Sequence, residues 1–100
     1  MNTKTNNTVM VSVELFGHAR TVSGVRDVQI SLPPQSGASD LAAALAAALP
    51  SLRSIALEDD GSSLLSSYTA NLNGLAFMDD EPVPVSPGDT ILLFSSQAGG

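Results

Sequence analysis

The stretch Val9–Leu15, which reads VMVSVEL, sets the frame of the fold. Its apolar side chains occupy every second position and alternate with Met10, Ser12 and Glu14. This period of two, carried by β-branched valines, predicts a strand with one buried face. Residues 91–94, which read ILLF, predict a second strong strand near the end of the chain. As the two most apolar strands, they are expected to lie side by side in the centre of a sheet.

Between these strands the pattern changes to that of a helix. Leu41, Leu45 and Leu49 recur at intervals of four, and alanines fill the stripe between them. Residues 36–39 offer side chains for the helix N-cap, and Pro50 ends the run. Because parallel strands need a crossover connection, a helix of about ten residues here lets the two central strands pair in parallel.

Two further strands, a hairpin and two connectors complete the predicted order. The strands are residues 28–32 and 68–72, with a return strand at residues 75–78. Asn73 and Gly74 predict a type I′ hairpin turn. Residues 17–24 are expected to form a loop, and the proline-rich residues 82–87 an extended connector outside any ladder. The predicted fold is α+β: a mixed sheet of four to five strands with one main helix on one face, in the β-grasp arrangement.

The length and composition indicate one globular domain. One hundred residues suffice for a single core, and 43% hydrophobic against 14% charged residues exclude an intrinsically disordered chain. Residues 9–94 are the predicted domain, preceded by a disordered tail at residues 1–8 and followed by a flexible Gly-Gly tail at residues 95–100. Neither a signal-like segment nor a membrane span is seen, so the protein is predicted to be cytoplasmic.

Charge and cysteine content narrow the function. Ten acidic against four basic residues give a net charge of −6, which disfavours nucleic acids and anionic membranes and favours a basic protein partner. The absence of cysteine excludes disulfides, zinc–thiolate sites and thiol nucleophiles. His18, the only histidine, is expected to be a solvated loop residue. Two acidic triplets, at residues 58–60 and 79–81, lack the ligand spacing of a calcium loop, so no metal site is predicted.

Gly99 and Gly100 end the sequence. Two glycines in series have no Cβ atoms, so they form a thin thread that enters a pocket where any side chain would clash. With glycine at about 7% of residues, chance places such a pair at a given position at a rate of roughly 0.5%. One interpretation is a terminal carboxylate presented for activation in another protein's active site; the other is a flexible end.

Taken together, these motifs resemble the MoaD/ThiS sulfur-carrier group, and within it the small subunit of molybdopterin synthase. Residues 16–24, which read FGHARTVSG, are similar to the family's segment after the first strand. The leucine-rich helix, the Asn-Leu-Asn-Gly of residues 71–74 and the Pro-Gly-Asp-Thr-Ile of residues 87–91 also look like family motifs, in the family's order. The resemblance runs from Val9 to Gly100 and implies a ubiquitin-like fold.

The resemblance implies a sulfur carrier that is not an enzyme on its own. A ubiquitin-activating-like adenylyltransferase of the MoeB type would use ATP to adenylate the Gly100 carboxylate, and a sulfur donor would replace AMP to leave a thiocarboxylate. Gly99, Ala98 and Gln97 would then thread into the large subunit of molybdopterin synthase, of the MoaE type, where the sulfur attacks the pterin precursor. With no thiol in the chain, its terminus is the one place from which it can donate sulfur.

A partner-facing patch is expected from Phe94 and from Leu92 or Leu93, although core packing is expected for at least two of the three. No cofactor is expected on the chain itself. Two other interpretations stay open: a ubiquitin-like modifier joined to lysines through Gly100, and a plain interaction domain with a fortuitous terminus. Delivery of sulfur to another pathway, such as thiamin thiazole or cysteine, is an alternative within the carrier class.

Overall fold

A five-stranded mixed sheet forms the frame of the protein in a computed structural model that describes residues 7–96. In chain order the elements are β1 (Val9–Leu15), α1 (Gly17–Ser23), β2 (Asp27–Leu32), β3 (Gln35–Ser36), α2 (Ala38–Ala48), a 3-10 turn (Pro50–Leu52), β4 (Tyr68–Leu72), β5 (Ala76–Phe77), β6 (Val83–Pro84) and β7 (Thr90–Ser95). The strand order in the sheet is β2-β1-β7-β4-β5, and β3 pairs with β6 separately. The predicted α+β, ubiquitin-like β-grasp fold is confirmed.

The two most apolar strands lie together in the centre of the sheet, as predicted. β1 and β7 pair in parallel, with Ser12 opposite Thr90 and Leu15 opposite Leu93. Every other pairing in this sheet is antiparallel. The long crossover between β1 and β7 contains α2, which packs across one face of the sheet.

The core lies between α2 and this one face of the sheet. Leu41 and Leu45 of α2 are fully buried, and Leu49 at its end is half-buried against the same cluster. The largest fully buried apolar side chains are Val11, Val13, Leu15, Leu32, Leu41, Leu45, Leu52, Leu57, Ile91 and Leu93. Strand and helix periodicity therefore identified the core positions on the strands and on α2, whereas Leu52 and Leu57, which follow α2, were not predicted.

The start of α2 differs from the prediction of a serine N-cap. The N-cap residue is Gly37, whose N–H donates to the Asp40 carboxylate at 2.9 Å. Ser36 is buried instead, and its hydroxyl donates to the Pro33 carbonyl at 2.7 Å. A Cβ atom at Gly37 would lie 2.9 Å from the backbone oxygen of Asp79. The backbone at Asp79 lies so close to the start of α2 that only glycine fits at the N-cap without a shift of the backbone.

The predicted loop at residues 17–24 is wrong, because residues Gly17–Ser23 form helix α1. A single side chain, that of Ala19, is buried on it. Gly24 ends the helix in the left-handed conformation, with φ of 76°, and its N–H donates to the Arg20 carbonyl at 3.0 Å. One small buried residue in two turns produces no apolar stripe, so the sequence pattern had no helical period to detect.

The predicted connector at residues 82–87 is also wrong in part. Val83 and Pro84 form β6 and pair with Ser36 and Gln35 of β3. The ladder extends by a bond from the Val85 N–H to the Pro34 carbonyl at 2.8 Å. Proline is tolerated in a strand this short because it lies where no bond from its own nitrogen is needed.

The last strand extends slightly beyond the predicted boundary at residue 94. β7 continues through Ser95, and the Ser96 N–H donates to the Ser67 carbonyl at 2.7 Å. The return strand of the hairpin is shorter than predicted, covering Ala76–Phe77 of residues 75–78. Among the helices within residues 7–96, none is long and apolar enough to cross a membrane.

Candidate functional site

Strand β7 divides its side chains between the two faces of the sheet. Ile91 and Leu93 are fully buried in the core cluster that also contains Leu41 and Leu45 of α2. Leu92 and Phe94 alternate with them and therefore point to the opposite side, where both are half-buried. Of the three residues considered for a partner-facing patch, Leu93 is a core residue, and Leu92 and Phe94 lie on the face that α2 does not cover.

We call this uncovered side of the sheet the open face. The register places on it Met10, Ser12, Glu14, Asp27, Gln29, Ser31, Thr69, Asn71, Phe77, Thr90, Leu92 and Phe94. The register places one row of these residues straight across the sheet, because cross-strand partners point to the same side. Phe77 lies opposite Asn71, Asn71 opposite Leu92, Leu92 opposite Glu14, and Glu14 opposite Asp27. The open face is thus apolar toward β5 and acidic toward β2.

The apolar part of the open face is well exposed at its margins. Phe77 is 59% exposed and Met10 is 51% exposed, whereas most large apolar side chains of this protein are buried. Leu75, at the tip of the neighbouring hairpin, is 87% exposed. Phe77 lies at the β5 side of the open face, and Met10 lies on β1 beside Ser31 of β2. Exposed apolar side chains on a face that also carries acidic ones are typical of a protein-binding surface.

Asn71 occupies an unusual position within this face. Its side-chain oxygen is buried but has no hydrogen-bond partner among residues 7–96. Asn71 lies between Phe77 and Leu92 in the sheet register, so apolar neighbours flank it on both sides. Asn71 belongs to the Asn-Leu-Asn-Gly motif of residues 71–74, but nothing in the sequence indicates that its side-chain oxygen is buried without a partner.

Backbone hydrogen bonds fix the place in the fold where β7 ends. β7 runs parallel to β1, and the Phe16 N–H, just after β1, donates to the Leu93 carbonyl at 3.2 Å. Both strands therefore end at the same edge of the fold. The Ser96 hydroxyl donates to the Ser66 carbonyl at 3.1 Å. The predicted tail residues Gln97, Ala98, Gly99 and Gly100 lie outside the described residues.

The other candidate residues do not assemble into a chemical site. His18 is exposed on α1, and the two acidic triplets lie in exposed turns. Hydrogen bonds from Ser62, chiefly from its hydroxyl, hold the pKa of Asp60 below its ordinary value. Within residues 7–96 no three histidine, aspartate or glutamate side chains come together in a way that could hold a metal ion. The triplets lie at the surface as exposed, charged turns.

Comparison with known proteins identifies the class. No protein-family model and no curated protein matches the chain. The crystal structure of small archaeal modifier protein 1 from Haloferax volcanii is 28% identical, covers 87% of this chain and 97% of that chain, and has a TM-score of 0.71. The protein of that name from Methanosarcina acetivorans is 21% identical, with coverage of 95% and 100% and a TM-score of 0.70. A Pyrococcus furiosus structure, titled as a candidate molybdopterin converting factor subunit 1, is 22% identical, with coverage of 87% and 97% and a TM-score of 0.63.

The fold and these likenesses define a ubiquitin-like β-grasp protein. The small archaeal modifier proteins and the molybdopterin converting factor subunit share this fold, which supports the resemblance to the MoaD/ThiS group that the sequence motifs predicted. The two matches below 25% identity bear on the fold alone. A role as a sulfur carrier or ubiquitin-like modifier, generally without catalysis of its own, is what the fold class supports.

Proposed function

We propose that this protein is a sulfur carrier, the small subunit of a cytoplasmic molybdopterin synthase, with Gly100 as its reactive terminal residue. The observation that carries the proposal is the position of β7. This strand is central in the sheet, is held on both sides by β1 and β4, and runs to Ser95. The last strand before Gly99 and Gly100 in the sequence is thereby anchored in the centre of the domain.

The chemistry resides on the terminal carboxylate. A carboxylate oxygen of Gly100 attacks the α-phosphorus of ATP in the partner's active site, forming an acyl adenylate and releasing pyrophosphate. Hydrosulfide, or a persulfide donor with a thiol reductant, then attacks the acyl carbon and releases AMP. The product is a thiocarboxylate. The chain has no cysteine, so no side-chain thiol competes for the sulfur.

The open face supplies the surface for the partners. Leu92 and Phe94 lie close to the start of the tail and offer apolar contact, while Glu14 and Asp27 offer negative charge to a basic partner. An activating adenylyltransferase of the MoeB type and a molybdopterin synthase large subunit of the MoaE type would use this face in turn. Gln97 and Ala98 would line the entry of the partner's channel, and Gly99 would pass its narrowest part.

Intact-mass measurement tests this proposal. The full chain is incubated with a MoeB-type enzyme, ATP and a sulfur source, and we expect an oxygen-to-sulfur mass increment. Deletion of Gly100 should abolish the increment, whereas Asp80→Asn, an exposed change away from the open face, should retain it. Addition of a MoaE-type subunit and the pterin precursor should then remove the sulfur. An unchanged mass with every activating enzyme tried would contradict the proposal.

A ubiquitin-like modifier is the second candidate function. The Haloferax volcanii structures, which carry the name small archaeal modifier protein 1, are 27% and 28% identical to this chain. In that case Gly100 would form an amide with lysines of other proteins, and Lys4 is the single lysine of this chain. Conjugates heavier than the monomer, lost on deletion of Gly100, would favour this function. Sulfur transfer to thiamin thiazole or cysteine instead of the pterin would identify a different carrier pathway.

A further inference from the structure

Two arginines of this acidic protein line one cavity. The cavity has a volume of about 600 Å³ and is bordered by Gly17, Arg20, Thr21, Gly24, Val25 and Arg26. It lies between α1 and the start of β2. The sequence has only four basic residues, and the third arginine, Arg53, lies elsewhere, beside Asp60. The cavity is therefore a local positive site on a molecule with a net charge of −6.

Neither guanidinium is neutralised by the protein itself. Within residues 7–96, Arg20 and Arg26 form no ion pair and no side-chain hydrogen bond. No acidic residue borders the cavity. Asp27 follows Arg26 directly, but in the β1–β2 register it lies opposite Glu14 on the open face. The two positive charges are thus available to a ligand.

The cavity is at the end of the fold where β7 ends. The Leu15 N–H, at the end of β1, donates to the Arg26 carbonyl at 2.8 Å. Leu15 in turn lies opposite Leu93 of β7 in the parallel pair. A protein that receives the chain beyond Ser96 would therefore come close to both arginines.

The cavity is open to solvent, so it is better suited to a side chain of another protein than to a small anion that must be enclosed. Arg20 and Arg26 are both exposed, and the Thr21 hydroxyl already donates to the Gly17 carbonyl at 3.3 Å. Within residues 7–96, no side chain that borders the cavity has a buried polar atom without a hydrogen-bond partner. A guanidinium binds a carboxylate through two parallel hydrogen bonds, and a side-chain carboxylate presented by another protein can reach such an open site.

We propose that Arg20 and Arg26 bind the carboxylates of an acidic segment of the partner protein, next to the entrance that receives the C-terminal tail. This inference rests on the proposed function, because it assumes a partner that takes up the tail. The pairing orients the partner: its basic surface meets Glu14 and Asp27, and its acidic segment meets the arginines. A partner docked the other way round would place like charges against each other.

An NMR titration of the full chain tests the site without any partner enzyme. A blocked tetraglutamate peptide is added at low ionic strength to the ¹⁵N-labelled protein, with a tetraglutamine peptide as the neutral control. We expect a dissociation constant on the order of millimolar, with shifts at the Arg20 and Arg26 Nε–H groups and at the amides of Thr21 and Val25. Arg20→Gln and Arg26→Gln should each weaken binding by about three- to tenfold. Arg53→Gln, which removes the same charge away from the cavity, should leave it unchanged.

The titration distinguishes a carboxylate site at the two arginines from a phosphate site and from nonspecific charge binding. Absence of shifts at the cavity, or equal weakening by Arg53→Gln, would overturn the proposal. Tighter binding of inorganic phosphate than of tetraglutamate at the same residues would replace it with a phosphate site. Because the titration needs neither ATP nor Gly100, its failure would leave the carrier function standing. Conversely, a failed mass increment with intact peptide binding would overturn the carrier function alone.

Discussion

At the scale of single residues, two asparagines of the β4 hairpin have opposite roles. Asn73 has a positive φ of 58°, and its side-chain oxygen accepts a bond from the Thr90 N–H at 2.9 Å, which ties the hairpin to β7. Asn71, two positions earlier, has a buried side-chain oxygen without a partner in the described chain. The first asparagine stabilises the fold, and the second costs it stability.

Replacement of these residues should therefore change stability in opposite directions. Asn71→Val removes an unsatisfied acceptor from an apolar row and should raise the free energy of unfolding by about 1 kcal/mol. Asn73→Ala removes a hydrogen bond and strains the left-handed turn, so it should lower the free energy of unfolding by about 1–2 kcal/mol. Urea denaturation followed by circular dichroism measures both. A loss of stability in Asn71→Val would mean that its oxygen is paired in solution.

Gly37 permits a direct test of the tight approach at the start of α2. Its φ of −111° is ordinary for any residue, so an effect of substitution there is steric. Gly37→Ala places a Cβ atom against the backbone oxygens of Asp79 and Asp80 and should destabilise the fold by about 1–3 kcal/mol. Ser39→Ala, two residues away and exposed, should stay within about 0.5 kcal/mol of the wild type. Equal changes in thermal stability in Gly37→Ala and Ser39→Ala would argue against the close contact between Gly37 and the backbone of Asp79.

At the scale of elements, β7 combines core packing with the proposed partner contact in alternate residues. Leu93 is fully buried in the core, whereas Leu92 lies on the open face. Both are leucines in one strand, so the face that each occupies is what distinguishes their roles. The proposed partner surface therefore includes residues of the most central strand of the sheet.

Truncation of these two leucines should separate stability from function. Leu93→Ala should lower the free energy of unfolding by about 2–5 kcal/mol because it leaves a cavity in the core. Leu92→Ala should cost less than about 1 kcal/mol but slow thiocarboxylate formation, since apolar contact with the activating enzyme is lost. Denaturant titration and intact-mass kinetics give the two readouts. Full activity of Leu92→Ala would exclude this residue from the partner surface.

Helix α1 shows where element prediction from sequence reaches its limit. Periodicity found β1, β2, β4, β7 and α2, because each carries several apolar residues at regular intervals. In α1, Ala19 alone is buried, and the helix is held by its position between β1 and β2. The pairing of β6 with β3 was missed for a related reason: its two residues acquire a partner only when the chain has folded.

At the scale of the whole molecule, charge is distributed unevenly. The open face carries Glu14 and Asp27 beside its apolar residues, and the cavity with Arg20 and Arg26 lies at the end of the sheet. Asp79 and Asp80 lie in an exposed turn outside both regions. Net charge alone therefore describes this surface poorly, and the arrangement of charge decides how a partner is oriented.

A matched pair of double variants tests whether the open-face acids contribute to docking. Glu14→Gln with Asp27→Asn should weaken binding to the activating enzyme several-fold and reduce its salt dependence, because two favourable charges are lost. Asp79→Asn with Asp80→Asn removes the same charge from the remote turn and should leave both unchanged. Titration calorimetry between roughly 0.05 and 0.5 M salt measures the dissociation constant of each variant and its salt dependence. Equal weakening by both variants would show that only net charge matters.

Local pattern was sufficient for the central strands, the crossover helix and the core, because burial imposes a regular spacing on apolar residues such as Val11, Val13, Leu41 and Leu45. The order of the motifs also determined the resemblance to a sulfur carrier. Tertiary structure alone decided which leucine of β7 faces outward relative to its neighbours, and it alone brought Arg20 and Arg26 to one cavity at the end of β7. The physical reason is that a face of a sheet and a shared cavity are defined by strands and helices from distant parts of the chain.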